Sequence, residues 1–448
     1  MADITPYGGV ADSRGGLSAG EPELHTPGRD AWGAAPEGGA PLVYIENCSP
    51  SPDTFAPRAA YREWSAEERR AYGREKQAAA GRRAKIARRL LGGSLAVCGT
   101  AGEGSGVAPV YRDGEGRTII ETRRCGSWAC PECGALNAYI RQRELAAAIL
   151  SAHRAGWSMV FITLTVPHTV EQTTGEVVDT VLACHRELLH RLARCSCQRV
   201  HGYAGLFRCL DFTFNPIDAD NPTPETTQCH AHIHEVAFYT DGDVMGVAAD
   251  VMGTVGRLWD DIVYKRTGKR PNRQHGFNVE PVVLADGGND GDGAERLAEY
   301  AAKVVATYST TRDKQKGALT PYDLLDDEKY HPLYRDWAAG IRGRRFSYMS
   351  RGLRERLGVE GYKPPERHQV GTISAERVRA LRDVPAGLYD ARCAIADGLP
   401  VDGVEIYDAE RREGLAAIDR TVREWLESHP RPVSVVLPRG SVVLPLRC

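Results

Sequence analysis

The 448-residue chain has no apolar run approaching the ~20 residues that a membrane-spanning helix needs, so no transmembrane segment is expected. Its opening stretch, MADITPYGGVADSRGG, lacks the basic start and apolar core of a secretory leader. A cytoplasmic, reducing location with no membrane partner is the resulting expectation. Net charge is nearly absent, −2 at pH 7, so the total predicts no partner. Lys is scarce beside Arg, and no internal repeat is visible.

The charge that is present is unevenly placed. Residues 1–55 hold two basic and eight acidic residues among many Gly and Pro, and read as a disordered acidic tail. Residues 62–93 hold ten basic against four acidic, and residues 335–357 hold seven Arg against Asp336 and Glu355. An acidic tail and two basic patches on a near-neutral chain point to a localised polyanion site. Arg82 and Arg83 in the first patch, and Arg342, Arg344 and Arg345 in the second, are the candidate DNA contacts. The plainer reading of the first patch is a solvated basic helix, capped by Ser65 with Glu67 and Glu68 in its first turn.

Periodicity predicts helices over 62–91, 134–155, 177–195, 244–268 and 293–309, and strands over 157–166, 204–214 and 276–283. A further strand carries HAHIHEVAFY, residues 230–239. This order predicts an α+β fold with an antiparallel sheet and helices on one side. In a strand, alternate residues share a face, so His230, His232 and His234 project together. Two such imidazoles lie about 6.5–7 Å apart at Cα, close enough to share one ion. Asp211 in FRCLDFTF sits mid-strand, where an unpaired carboxylate is costly, and a hairpin can bring it beside the histidines. Two histidines and a carboxylate suit Mn²⁺ or Mg²⁺.

Tyr300 lies on the apolar stripe of AERLAEYAAKVVATY with Lys303 one turn on. A free phenol, pKa ≈ 10, is ionised in only about one copy per thousand at pH 7, and a nearby cation lowers that pKa. A core tyrosine is the plain alternative. In CGSWACPEC, Cys125, Cys130 and Cys133 have the spacing of a zinc knuckle, and Cys98 in AVCGT is the best fourth ligand for a structural Zn²⁺.

Taken together, FITLTVPH (161–168), GLFRCLDFTF (205–214), HAHIH (230–234) and EYAAK (299–303) resemble the motifs of the plasmid rolling-circle replication initiators of the HUH endonuclease superfamily, in their Gram-positive and actinobacterial branch. CGSWACPEC and WAAGIRGRRFSYMSRGLRERLG (337–358) resemble that branch's cysteine and basic segments. The resemblance covers about residues 95–358. It implies an RRM-like catalytic domain over 151–312, with a five-stranded antiparallel sheet. A basic-helix and zinc segment over 56–150 precedes that domain, and a mixed C-terminal extension over 313–448 follows it.

It further implies a His232, His234 and Asp211 metal site, where the family usually has Glu for Asp211, with His230 as an additional ligand or support. Tyr300 would attack an origin phosphodiester in a single-stranded hairpin, leaving a 5′-phosphotyrosyl link and a 3′-OH primer for the host helicase and polymerase. The family's water-activating Glu, four residues before the tyrosine, is Arg296 here, so Glu295 is the candidate replacement, with Glu299 second. An HUH relaxase or transposase, or a non-catalytic zinc-dependent DNA-binding regulator, are the alternatives.

Overall fold

A computed structural model describes residues 65–407, except 103, 115, 196–198, 218–222, 273–275, 284–317, 361–363 and 365. The acidic tail, the 293–309 helix, and with it Glu295, Arg296, Glu299, Tyr300 and Lys303, lie outside the described residues.

Ser65 caps helix α1 (Ala66–Leu91) reciprocally with Glu68. The Ser65 Oγ accepts from the Glu68 amide at 3.2 Å, and Glu68 Oε2 accepts from the Ser65 amide at 2.6 Å. Strands β1 (Val107–Asp113) and β2 (Thr118–Ile120) follow, then helix α2 (Pro131–Arg154), with Pro131 in the first turn where a missing N–H costs nothing. The sequence reading gave the cysteine segment no strands; β1 and β2 are a correction to it.

Five strands form the principal sheet: β3 (Ser158–Thr165), β4 (Tyr203–Pro216), β5 (Thr227–Tyr239), β6 (Phe277–Pro281) and β7 (Ser347–Met349), in the order β6-β3-β5-β4-β7. Every pairing is antiparallel. The fold is therefore α+β with a five-stranded antiparallel sheet. β3 is buried on both faces along almost its whole length, and Met159 to Ile162 with Leu164 give it an apolar run. β5 is different: buried and half-buried residues alternate from Thr227 to His234, and everything from Glu235 on is buried.

One face of β5, carrying Ala231, Ile233 and Glu235, lies under helix α3 (Thr174–Leu192); helix α4 (Val244–Thr267) packs on β3, β6 and α3, and helix α5 (His331–Ile341) packs on α3. Glu235 is tied to His185 of α3 at 2.8 Å, both buried. Trp259 of α4 donates its indole N–H to the carbonyls of Thr165 and Gly276 at 3.1 and 3.0 Å. The histidine face is covered at its other end, where Val236 and Phe238 are buried and helix α6 (Leu353–Leu357) packs on α2 and β4. Gly205, opposite Phe238, adopts φ 142°, and a Cβ there would stand 2.9 Å from the Ser350 Cβ. Helices therefore approach both faces, and along β5 the His230–His234 stretch of the second face stays partly open.

A second sheet, β2-β1-β8-β9, pairs β1 with β8 (Arg367–Ser374) and β8 with β9 (Val404–Ile406). Helices α7 (Ala375–Arg382) and α8 (Gly387–Ala396) close it, burying Ala108, Val110, Ile120 and Ile373 with Val378, Leu381, Ala391 and Ile395. Among the described residues no helix is long and apolar enough to cross a membrane.

Candidate metal centres

Strand register assembles the first centre. β4 places Asp211 opposite His232 and Cys209 opposite His234, while β3 places Thr163 opposite His234. Directly opposed residues share a face, so these side chains meet on the partly open end of the histidine face. The His232 Nε2 stands 2.9 Å from Asp211 Oδ2, the His234 Nε2 stands 3.5 Å from the same oxygen, and the two Nε2 atoms are 3.0 Å apart.

The second nitrogen of His234 has a hydroxyl partner. With the ring proton on Nδ1, it donates to Thr163 Oγ1 at 3.1 Å and leaves the Nε2 lone pair aimed at Asp211 and His232. The His232 Nδ1 is buried without a hydrogen-bond partner among the described residues. Burial would raise the Asp211 carboxyl, but the His232 and His234 rings hold it well below the usual carboxylate range. Burial, with the neighbouring His232, lowers His234 and keeps it neutral. An anionic carboxylate and a neutral imidazole are the protonation states that ligation requires. Asp211, His232 and His234 therefore could hold a divalent ion, and the donor set suits a first-row metal.

His230 stands outside that triad of ligand atoms. Its Nδ1 faces His168 Nε2 at 3.3 Å, and His168 Nδ1 lies 3.1 Å from the Val166 carbonyl. The four rings of His168, His230, His232 and His234 form a row with neighbouring centroids 4.8, 5.2 and 4.6 Å apart. Thr163 and His168 were missed as site residues from the sequence, although both lie inside the quoted FITLTVPH stretch and Thr163 has the alternation that puts it on the sheet face.

The second centre is built where α1, the β2 strand and α2 converge. Cys98 Sγ lies 3.8 Å from Cys130 and 3.5 Å from Cys133, and Cys125 lies 3.6 Å from Cys133. Four thiolates around zinc at about 2.3 Å would stand about 3.8 Å apart, so the cluster has the dimensions of a tetrahedral ion site. Cys130 caps α2 and Cys133 sits in its first turn, where the helix dipole favours thiolate. Without a cation, hydrogen bonding among the crowded thiols, Cys125 foremost, pushes Cys130 and Cys133 well above the ordinary thiol value. A central dication reverses that preference. The Cys98, Cys125, Cys130 and Cys133 cluster could bind a metal ion as expected.

The five candidate DNA-contact arginines divide. Arg82 and Arg342 are exposed. Arg83 is committed to Asp323 at 2.8 Å and to Asp326. Arg344 grips Asp179 through both Nε and Nη2, at 2.7 and 2.6 Å. Arg345 lies over the Tyr348 ring at 5.3 Å. Arg83 and Arg344 are thus internal struts that join distant segments. Compared with family models, curated proteins and solved structures, the chain has no match.

Proposed function

We propose that the chain is a plasmid rolling-circle replication initiator, an RRM-like HUH endonuclease that nicks one strand of its origin. The observation that carries this reading is the convergence of Asp211 Oδ2 with the Nε2 atoms of His232 and His234 on the open end of a sheet face. The order of the FITLTVPH, HAHIH and EYAAK stretches supports it from the sequence. A bound Mn²⁺ or Mg²⁺ supplies Lewis-acid polarisation of a phosphodiester, and the two imidazoles favour Mn²⁺.

The chain's own residues do the rest. Asp211, His232 and His234 present three lone pairs at one point, and Thr163 fixes the ring of His234. Tyr300 gives its phenol proton to solvent and its oxygen attacks phosphorus; the P–O3′ bond breaks and the leaving O3′ takes a proton from solvent, giving a 5′-phosphotyrosyl link and a free 3′-OH. Lys303, three residues on in the sequence, would lower the phenol pKa. Glu295 activates water for the terminating cleavage. Zn²⁺ in the cysteine cluster is structural. The partners are single-stranded origin DNA, a host helicase and a host polymerase, in the cytoplasm.

The test is incubation with labelled origin single strand and Mn²⁺, followed by a denaturing gel. A protein–DNA adduct is expected for the wild type and for Glu295→Ala, which stays trapped on its DNA, but not for Tyr300→Phe or His232→Ala. An adduct that survives Tyr300→Phe sinks the nucleophile assignment.

A further inference from the structure

The exposed side of α1 carries a ridge of cations that no other part of the described structure uses. At 100° per residue, Arg74, Arg82, Lys85 and Arg89 fall within an arc of about 80° and extend about 22 Å along the helix axis. All four are exposed. The other sides of the helix are occupied. Ala84, Ala87 and Arg88 are buried, and the Arg88 guanidinium faces the Cys98 and Arg382 carbonyls at 3.5 and 3.4 Å. Arg83, about 180° from Arg74, is committed to Asp323 and Asp326. Within the arc only Arg89 meets a carboxylate, Glu328 at 4.0 Å, and both side chains are largely solvated, so that pair neutralises little.

What shares the arc decides the partner. Ala78 lies between the cations and Ala71 precedes them on the same arc, with Glu75 at the edge. Large apolar side chains that would enter a lipid surface are missing from this stretch of the arc. Aromatic rings for stacking unpaired bases are missing too: Tyr72 lies well outside the arc, with Lys76 over its ring at 5.2 Å. A cationic ridge on a stiff rod, without large apolar or aromatic side chains among its members, suits a row of phosphates.

We infer that the Arg74, Arg82, Lys85 and Arg89 ridge of α1 binds the phosphate backbone of duplex DNA, separately from the metal centre. The inference deepens the replication-initiator reading and rests on it for the polyanion being DNA. The ridge supplies sequence-independent anchoring of the duplex, while the metal centre meets the single strand.

The experiment uses the full chain carrying His232→Ala, without added divalent ion, so that no cleavage enters the measurement. Binding to a fluorescent duplex of random sequence is followed as salt is raised. Combining Arg74→Gln, Arg82→Gln, Lys85→Gln and Arg89→Gln weakens binding at least tenfold at low salt and makes log K against log salt shallower by about 3.6, at about 0.9 for each of four phosphate contacts. Zinc content and the helical circular-dichroism signal stay those of the parent. A second variant with Arg74→Lys, Arg82→Lys and Arg89→Lys keeps the charge and keeps the binding. An unchanged affinity and slope in the Gln variant overturns the inference, as does tighter binding of the parent to phosphatidylserine vesicles than to duplex. Failure of the Tyr300 adduct leaves these results untouched, so the two readings fall separately.

Discussion

One hydroxyl stands against the ring nitrogen of His234 that faces away from the carboxylate. Thr163 is not a ligand, yet its Oγ1 lies 3.1 Å from His234 Nδ1, and a ring proton placed there leaves Nε2 free to ligate. Thr163→Val removes that partner at nearly constant volume, and Mn²⁺ affinity is expected to fall about 10–100-fold with little change in melting temperature. Calorimetric titration with Mn²⁺ checks it. His232→Ala and His234→Ala should remove Mn²⁺ binding altogether, and an unaltered isotherm in either would dismiss the triad. Because burial and His232 hold His234 below the ordinary 6.5, proton competition for this ligand sets in only at more acidic pH than for a free imidazole. The His234 share of that competition should therefore appear only below the ordinary imidazole range, and a Mn²⁺ titration of the His232→Gln variant across pH isolates it.

Away from the metal, the turn before β4 is braced to the end of β5 and to α4 by a single imidazole. His201 Nδ1 lies 2.7 Å from Asp241 and Nε2 lies 2.9 Å from Asp250, so both nitrogens donate and the ring is cationic. Asp241, then Asp250, raise its pKa above the ordinary 6.5. A raised folded-state value means the stabilisation is complete below 6.5 and is lost as pH rises through the folded value. His201→Gln should lower the melting temperature at about pH 6 and much less at about pH 9. Equal losses at both would show that the brace is steric.

Elements whose signal is local were readable in the sequence: α1 from Ser65 and Glu68, and β4 and β5 from apolar and histidine alternation. β1 was not, because Pro109 interrupts it and its pairing with β8 comes from far along the chain. β7 hid inside an arginine-rich stretch that reads by charge. Charge gives no partner either: Arg344 and Arg83 find Asp179, Asp323 and Asp326 only through the tertiary fold.

At the scale of the molecule the cysteine cluster is a junction. The carbonyls of Trp128 and Cys130 accept from Tyr322 at 2.7 and 3.3 Å, that of Ala129 accepts from Tyr334, and Trp128 stacks on Phe346 at 4.2 Å. Cys130→Ser with Cys133→Ser should abolish a zinc content of about one per chain by elemental analysis, and should lower the melting temperature of the whole protein. Zinc loss with an unchanged melt would make the ion ornamental. The small sheet has a different consequence, in time rather than in space. Its β1 strand waits for partners as distant as Ser374, while every strand of the large sheet lies between the two. During synthesis the large sheet leaves the ribosome first, and the small sheet closes only after that intervening chain is released. Its contact order is high, so its loop-closure entropy is repaid late. Until then Ala108 and Val110 remain uncovered, which makes β1 the segment of the nascent chain that a chaperone would have to shield.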